Sequence, residues 1–271
     1  MQPLHQLPRI FPSLTMGKQL VQFAPDFSAY AGGVEETQFF YREIFQDHAY
    51  DVAELPEDAF IVDAGANVGM FTLYMKKKYP ASTILAFEPA PETFKMLSEN
   101  VKLHNLKDVE LHECALGAED TTQIFTFYPT VPGNSTLVPE EKEIVREVFS
   151  ELSQDWADGA EKMYSTSHEI SVRVRPLSHF LNGRKDLKRI DMLKVDVEGV
   201  ELETLQALEE VHWARVSNVV VEICDLRGGR LDALESLLRS KGFSVRSESP
   251  SWSPSEGKMY MVIGHRDVTA G

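Results

Sequence analysis

The chain has 271 residues, 43% hydrophobic and 25% charged, the balance of a globular protein with one substantial core. Its 27 Lys and Arg against 42 Asp and Glu give a formal net charge of -15, which repels a phosphate backbone and argues against nucleic acid as partner. Two cysteines, Cys114 and Cys224, exclude a disulfide framework or zinc site, and the start, Met1-Gln2-Pro3-Leu4-His5, lacks a cationic leader; with no apolar run of bilayer length, a cytoplasmic protein without membrane contact is expected.

Residues 1 to about 35 carry several prolines and a Gly32-Gly33 break, and read as an extended arm or cap. Phe40, Tyr41, Ile44 and Phe45 recur at helical spacing and predict an amphipathic helix that packs its aromatic side on the main domain. The expected division is an arm and cap helix over residues 1–50 and a main domain over 51–271. From residue 60, short buried-strand runs alternate with helical patterns. Phe60 to Asp63, Thr83 to Phe87 and Val109 to His112 read as strands, separated by helices over Phe71 to Tyr79 and through Phe94, Leu97 and Val101. After an interruption at about 128–170 the rhythm resumes with Met192 to Val195, a helix through Leu202, Leu205 and Leu208, Val219 to Ile223, and a helix through Leu231, Leu234 and Leu238. Two closing strands, near Val245 and over Met259 to Ile263, are joined by a Pro/Ser-rich loop and suit an antiparallel edge pair. This order predicts an α/β fold: a Rossmann-like, doubly wound, mostly parallel sheet with an antiparallel C-terminal strand. The interruption is too long for a plain connection, and Val145, Val148, Phe149 and Leu152 predict a single amphipathic helix within it.

The densest chemical signal is Val62-Asp63-Ala64-Gly65-Ala66-Asn67-Val68-Gly69, a strand entering a tight glycine loop and then a helix. Gly65 and Gly69 let the backbone approach a ligand, but Asn67 stands where a dinucleotide fingerprint needs glycine for a pyrophosphate. Asp63 ends a strand, where a carboxylate can hold an ammonium group, directly or through water. S-adenosylmethionine, a cation without phosphates, has the character such a loop suits. Glu88, about twenty residues beyond the loop, is placed to accept hydrogen bonds from ribose hydroxyls, and Pro89 and Pro91 stop its strand and start the next helix. Glu88 is expected to touch the ligand from a strand end, so that its removal leaves the fold intact. Asp196, Glu198 and Glu222 follow or close strand runs whose ends should lie side by side, forming an acidic cluster at the edge where open α/β sheets place ligands. One of them can then act as general base, with no metal expected. Regular strand alternation would turn Lys194 away from these carboxylates. Glu201 reads as a carboxylate at a helix start, and His104, His168 and His179 as surface or capping residues.

Taken in order, Phe60 to Gly69, Phe87-Glu88-Pro89, Ala115-Leu116-Gly117, Gly133-Asn134-Ser135-Thr136 and Leu193 to Glu201 resemble the FkbM-type methyltransferases over roughly residues 35 to 264. The resemblance implies S-adenosylmethionine as methyl donor and, commonly, O-methylation of small natural products or sugars. Carried over, it puts Asp63, Gly65, Asn67 and Gly69 along the methionine part of the donor, Glu88 and Pro89 at the ribose, and Cys114 and Ala115 at the adenine edge. Members often carry an Asp-Asp pair where this chain reads Leu177-Ser178-His179-Phe180, which leaves the role of His179 open. The expected function is methylation of a hydroxyl on a small biosynthetic acceptor, with N-methylation as runner-up and an NAD-dependent oxidoreductase or a non-catalytic nucleoside-binding protein as more distant readings. The insertion is expected to form a lid over the acceptor, with Asn134 or Ser135 near the donor.

Overall fold

A β-hairpin opens the computed structural model, which describes residues 17–184 and 186–267. Strands β1 (Gln19–Ala24) and β2 (Phe27–Ala31) pair antiparallel and lead into helix α1 (Val34–Tyr41), which continues as a π-helical turn over Arg42–Gln46. The expected arm is therefore a hairpin from residue 19 onward, and its first sixteen residues lie outside those described. The aromatic helix is as its spacing requires: Tyr41 and Phe45 stack at 4.9 Å between ring centroids and enclose Phe27 of β2.

The central sheet begins with β3 (Phe60–Ala64), followed by α2 (Met70–Lys78), β4 (Thr83–Phe87), α3 (Pro91–Leu103) and β5 (Val109–His112). A second, three-stranded sheet then interrupts it, built from β6 (Ala115–Leu116), β7 (Thr121–Phe127) and β8 (His168–Arg175). Between β7 and β8 stand two helices, α4 (Pro139–Leu152) and α5 (Gln154–Tyr164). The insertion thus holds a helix pair where its pattern predicted one helix. Trp156, Met163 and Tyr164 were at helical spacing, but small residues at Ala157, Gly159 and Ala160 diluted the apolar face, and Ser153 starts a new helix by accepting a hydrogen bond from the Trp156 amide. The main sheet is completed by α6 (Leu177–Leu181), β9 (Met192–Val195), α7 (Glu201–Gln206), α8 (Glu210–Trp213), β10 (Asn218–Cys224), α9 (Arg230–Ser240), β11 (Ser244–Glu248) and β12 (Met259–His265).

Seven strands form the order β11-β12-β10-β9-β3-β4-β5, parallel except where β12 runs against both neighbours. This is the doubly wound, Rossmann-like α/β fold with the antiparallel ending that the alternation predicted. Both faces are covered. Val62, Leu85, Leu193, Val219, Val221 and Val262 pack with Leu177, Leu205, Trp213 and Leu234 on one side. Ile61, Ile84, Met192, Val220 and Ile263 pack with Ile44, Phe71, Leu73 and Leu97 on the other.

Strand alternation fixes what the second face carries at the strand ends. Residues two apart share a face, so Asp63 follows Ile61, Lys194 and Asp196 follow Met192, and Glu222 follows Val220. The register pairs Asp63 with Lys194 and Val221 with Val195, which brings these charged side chains to adjacent positions. Lys194 therefore points toward the carboxylates, on the same face as Asp63 and Asp196.

Candidate functional site

At the C-terminal ends of β3, β4, β9 and β10 lies one cavity of about 220 Å³, roofed by α1, α4 and α5. Of the residues singled out from sequence, Gly65, Asn67, Glu88, Pro89, Cys114, Ala115, Asn134, Ser135, Asp196, Glu198 and Glu222 line it. Asp63 and Gly69 do not. Asp63 is fully buried beneath the loop, where one carboxylate oxygen accepts from Thr72 Oγ1 (2.7 Å) and the other lies 3.2 Å from Lys194 Nζ. Its ammonium partner in the folded chain is a lysine of the same chain, Lys194. Gly69 has φ +93°, and a Cβ there would stand 2.6 Å from Leu97 Cδ1; it lets α2 begin tight against α3. His104, His168 and His179 lie outside the lining.

The glycine loop is closed on itself. Gly65 and Ala66 both donate to Phe87 O (3.0 and 2.8 Å), Asn67 N to Glu88 Oε2 (3.0 Å), Val68 N to Asn67 Oδ1 (2.6 Å) and Gly69 N to Ala66 O (2.8 Å). No amide from 65 to 69 is left to cradle a phosphate, which goes beyond the Asn67 argument against a dinucleotide. Gly65 has φ +79°, and a Cβ on it would meet the Asp196 carbonyl oxygen at 1.7 Å, so β9 can approach only a glycine here.

Glu88 holds this loop as well as facing the cavity. Its second oxygen accepts from Ala90 N (2.9 Å), so the carboxylate bridges the loop and the start of α3. Removing it would leave the buried Ala90 amide unpaired, at about 1–3 kcal/mol, and the partly buried Asn67 amide as well, so Glu88 supports the fold in addition to facing the cavity. Each oxygen keeps a lone pair for a ligand hydroxyl. Burial raises Glu88 to about 7. The adjacent Cys114 thiol is pushed up to about 11 by burial and stays protonated.

Opposite stands the acidic group. Lys194 Nζ lies between Asp63 (3.2 Å) and Asp196 (3.4 Å) and donates to Gly65 O (2.6 Å); burial alone would depress its pKa, but the two carboxylates raise it. Glu198, at φ +56°, is paired with Lys142 of α4 at 2.5 Å, and its backbone carbonyl accepts from Thr136 Oγ1. Lys142 also reaches Asn134 Oδ1 (3.4 Å), which accepts from Tyr164 Oη (2.7 Å). Asn134 is therefore engaged by the insertion's own helices, and the Ser135 hydroxyl accepts from Tyr128 N (3.0 Å). Burial, reinforced by Asp196, Glu43 and Glu198, lifts Glu222 well above the usual carboxylate range. Glu201, in the first turn of α7, accepts from Gly199 N (2.7 Å), as a helix-start carboxylate should, and pairs with Arg230 (2.7 Å).

Among the lining residues that the sequence pattern does not single out are Glu36, Glu43, Lys142 and Trp252. Glu36 accepts from Gly133 N (2.9 Å), and Glu43 accepts from Trp252 Nε1 (3.1 Å) across 209 residues of chain. A signal for the glutamates existed. Glu36, Phe40 and Glu43 follow the i, i+4, i+7 spacing of one helix face, and an acid on a stripe that packs inward is out of place unless it has work there. Among the described residues, no group of three or more His, Cys, Asp or Glu side chains is arranged to hold a metal ion.

Burial raises Glu36 to about 8 and Glu43 to about 7 from 4.5. The folded chain therefore keeps protons that the unfolded chain has released above about 4.5. Stability present below that value is lost as pH rises through 7 to 8. The thermal midpoint is expected to fall between pH 5 and pH 8, and to fall less steeply in Glu36→Gln; calorimetric melting across that range, with a flat or rising midpoint in the parent chain, would contradict the assignment.

A family model described as the methyltransferase FkbM domain matches residues 63–245. The chain is 49% identical over 249 residues to Methyltransferase 1 of Beauveria bassiana, covering 91% of this chain and 98% of that protein. It is 44% identical over 255 residues to methyltransferase sdnD of Sordaria araneosa, covering 91% and 97%. Against 31-O-demethyl-FK506 methyltransferase FkbM of Streptomyces tacrolimicus the identity is 34% over 221 residues, covering 79% and 84%. The crystal structure of methyltransferase FkbM from Methylobacillus flagellatus shares the fold, with a TM-score of 0.51 at 12% identity over 82% of this chain and 47% of that one. A match over more than half its length and these identities establish that the chain belongs to the FkbM methyltransferase family.

Proposed function

We propose that the chain transfers the methyl group of S-adenosylmethionine to a hydroxyl of a small biosynthetic acceptor. The observation that carries this reading is the pairing of a phosphate-refusing glycine loop with a buried Glu88 and an acidic opposite wall in one cavity. The residues fit the donor: Glu88 offers lone pairs to ribose hydroxyls, Cys114 and Ala115 give an apolar edge for the base, and Asp196 and Glu198 face the cavity with carboxylates suited to a cation. Bound there, the donor supplies a methyl carbon on a cationic sulfur. The chain's part is to align the acceptor oxygen with that carbon, keep water out and take up the hydroxyl proton. Hydroxyl acceptors are favoured by the name of the Streptomyces relative, which refers to an O-demethyl substrate.

Within the acidic group we assign the proton to Glu222. Burial among Asp196, Glu43 and Glu198 lifts Glu222 well above the usual carboxylate range, and among the described residues no ion pair ties it down, whereas Asp196 pairs with Lys194 and Glu198 with Lys142. Asp196 helps hold Lys194 in place, and Glu198 ties the site to the insertion through Lys142. The insertion serves as a lid: Lys142, Asn134 and Tyr164 close one wall, and Val138 at the start of α4 packs so near Gly199 that a Cβ there would stand 2.2 Å from it.

Titration calorimetry with S-adenosylhomocysteine tests the donor. Binding is expected for the parent chain and none for NAD, with Glu88→Gln about tenfold weaker, or roughly 1.4 kcal/mol; NAD binding without S-adenosylhomocysteine binding would sink the reading. Once labelled-donor mass spectrometry has identified an acceptor, Glu222→Gln is expected to lower kcat by about 100-fold or more while leaving S-adenosylhomocysteine affinity nearly unchanged. Turnover within a few-fold of the parent would remove Glu222 from the proton transfer. For the lid, hydrogen exchange in residues 133–160 should slow when S-adenosylhomocysteine is added, and unchanged rates throughout that segment would discard it.

A further inference from the structure

Part of the cavity wall is aromatic and comes from four separate segments: Phe39 and Phe40 of α1, Phe149 of α4, Trp156 of α5, and Trp252 of the loop joining β11 to β12. These rings hold one another. Trp252 meets Phe39 edge to face (5.2 Å between centroids, 88°), and Phe149 meets Trp156 at 4.9 Å. The same loop touches the second pair, since a Cβ on Gly257 would lie 3.4 Å from the Phe149 ring. Trp252 is fixed at its polar end too, its indole N–H donating to Glu43 (3.1 Å). A rigid aromatic wall of this kind favours flat apolar surface at little entropic cost.

Charge narrows the choice further. The only Lys, Arg or His side chains lining the cavity among the described residues are Lys142 and Lys194, and both are already paired, to Glu198 and to Asp63 with Asp196. An acceptor bearing a carboxylate or phosphate would meet Glu36, Glu43 and Glu222 with no free cation to answer it. A cationic acceptor would have to sit beside a donor that is itself a cation, which Coulomb repulsion disfavours at the contact distance that transfer needs. Phe39, Phe40 and Trp252 of the wall, with Glu43 behind it, come from segments on either side of residues 63–245, away from the glycine loop and Glu88 in sequence.

We propose that this aromatic wall is the acceptor site for an uncharged, apolar, ring-bearing hydroxyl compound, and that Trp252, pinned between Phe39 and Glu43, is its specificity-determining residue. The proposal rests on S-adenosylmethionine being the donor, and the test separates the two. Three probes share one ring system and differ in charge: 2-naphthol, 2-naphthoate and 2-naphthylmethylamine. Each is titrated calorimetrically into the parent chain and into Trp252→Ala, with and without saturating S-adenosylhomocysteine. The expected result is that 2-naphthol binds the parent chain at least tenfold more tightly than either charged analogue. It should also lose tenfold or more in Trp252→Ala, while S-adenosylhomocysteine affinity stays within twofold. Equal or tighter binding of 2-naphthoate, tighter binding of the amine, unchanged 2-naphthol affinity in Trp252→Ala, or no 2-naphthol binding at all would each overturn the proposal. Failure of S-adenosylhomocysteine alone to bind would overturn the donor reading and leave the naphthalene comparison, made without it, to decide this one. The charge comparison in the parent chain stands even if Trp252→Ala does not fold.

Discussion

A single buried ammonium organises the catalytic edge. Lys194 on β9 stands between Asp63 of β3 and Asp196 just beyond β9, with its remaining donor capacity spent on the Gly65 and Ala64 carbonyls. Losing one partner of such a buried pair typically costs about 3–5 kcal/mol, because the other charge is stranded. The pair therefore reinforces the β3–β9 register at the strand ends, where Asp196 N also donates to Ala64 O (3.1 Å) and the Asp196 backbone comes close to Gly65. That approach in turn requires the glycine and aims the loop at β4, where Phe87 and Glu88 take up its amides. The conformation of the ligand-facing loop is fixed before any ligand arrives, which is what preorganisation of a site demands.

The insertion is joined to this edge by charge as well as by apolar contact. Arg230, at the start of α9, binds Glu141 of α4 with one nitrogen (2.7 and 2.8 Å) and Gly199 O and Glu201 with another (2.6 and 2.7 Å). Lys142, the next residue of α4, pairs with Glu198. Neighbouring residues on one helix thus grip the β9–α7 turn from two sides, and the turn accommodates them by taking left-handed backbone at Glu198 and Gly199. Elsewhere the helix pair is held by apolar contact, Val145, Met163 and Tyr164 clustering with Cys224 at the end of β10 and Phe149 lying against Gly257 of the loop before β12.

Much of this was legible from residue order alone. Periodicity alternating between two and three-to-four is enough to write the sheet from Phe60 to Phe87 and again from Met192 to Ile263, because all of those strands but the edge strand β11 are largely buried on both faces and cannot be mistaken for loops. The second sheet was not legible: β7 reads Thr121-Thr122-Gln123-Ile124-Phe125-Thr126-Phe127, polar at its start and with Ile124 exposed, so no alternating face stands out. The cavity residues divide in the same way. Those at strand ends were found because topology places them, while Lys142 and Trp252 were missed because a lysine on a charged helix and a tryptophan in a Pro/Ser-rich loop look like solvent-facing residues until the tertiary structure turns them inward. Asp63 shows the converse limit, since its pairing with Lys194 depends on the β3–β9 register, which residue order does not give.

The closed amide ladder of residues 65 to 69 has a consequence for how the site behaves among other molecules. The commonest adenosine compounds in any cell are phosphate esters, present at concentrations that would swamp a pocket recognising the nucleoside alone. Here the loop's amides are spent on Phe87, Glu88 and the loop itself, the nearby lysines are spent on carboxylates, and the walls are acidic. A polyphosphate tail gains nothing on entry and must shed its hydration to get in. For the donor proposed, selectivity over ATP thus requires no dedicated barrier, because it comes from a backbone that has already satisfied itself.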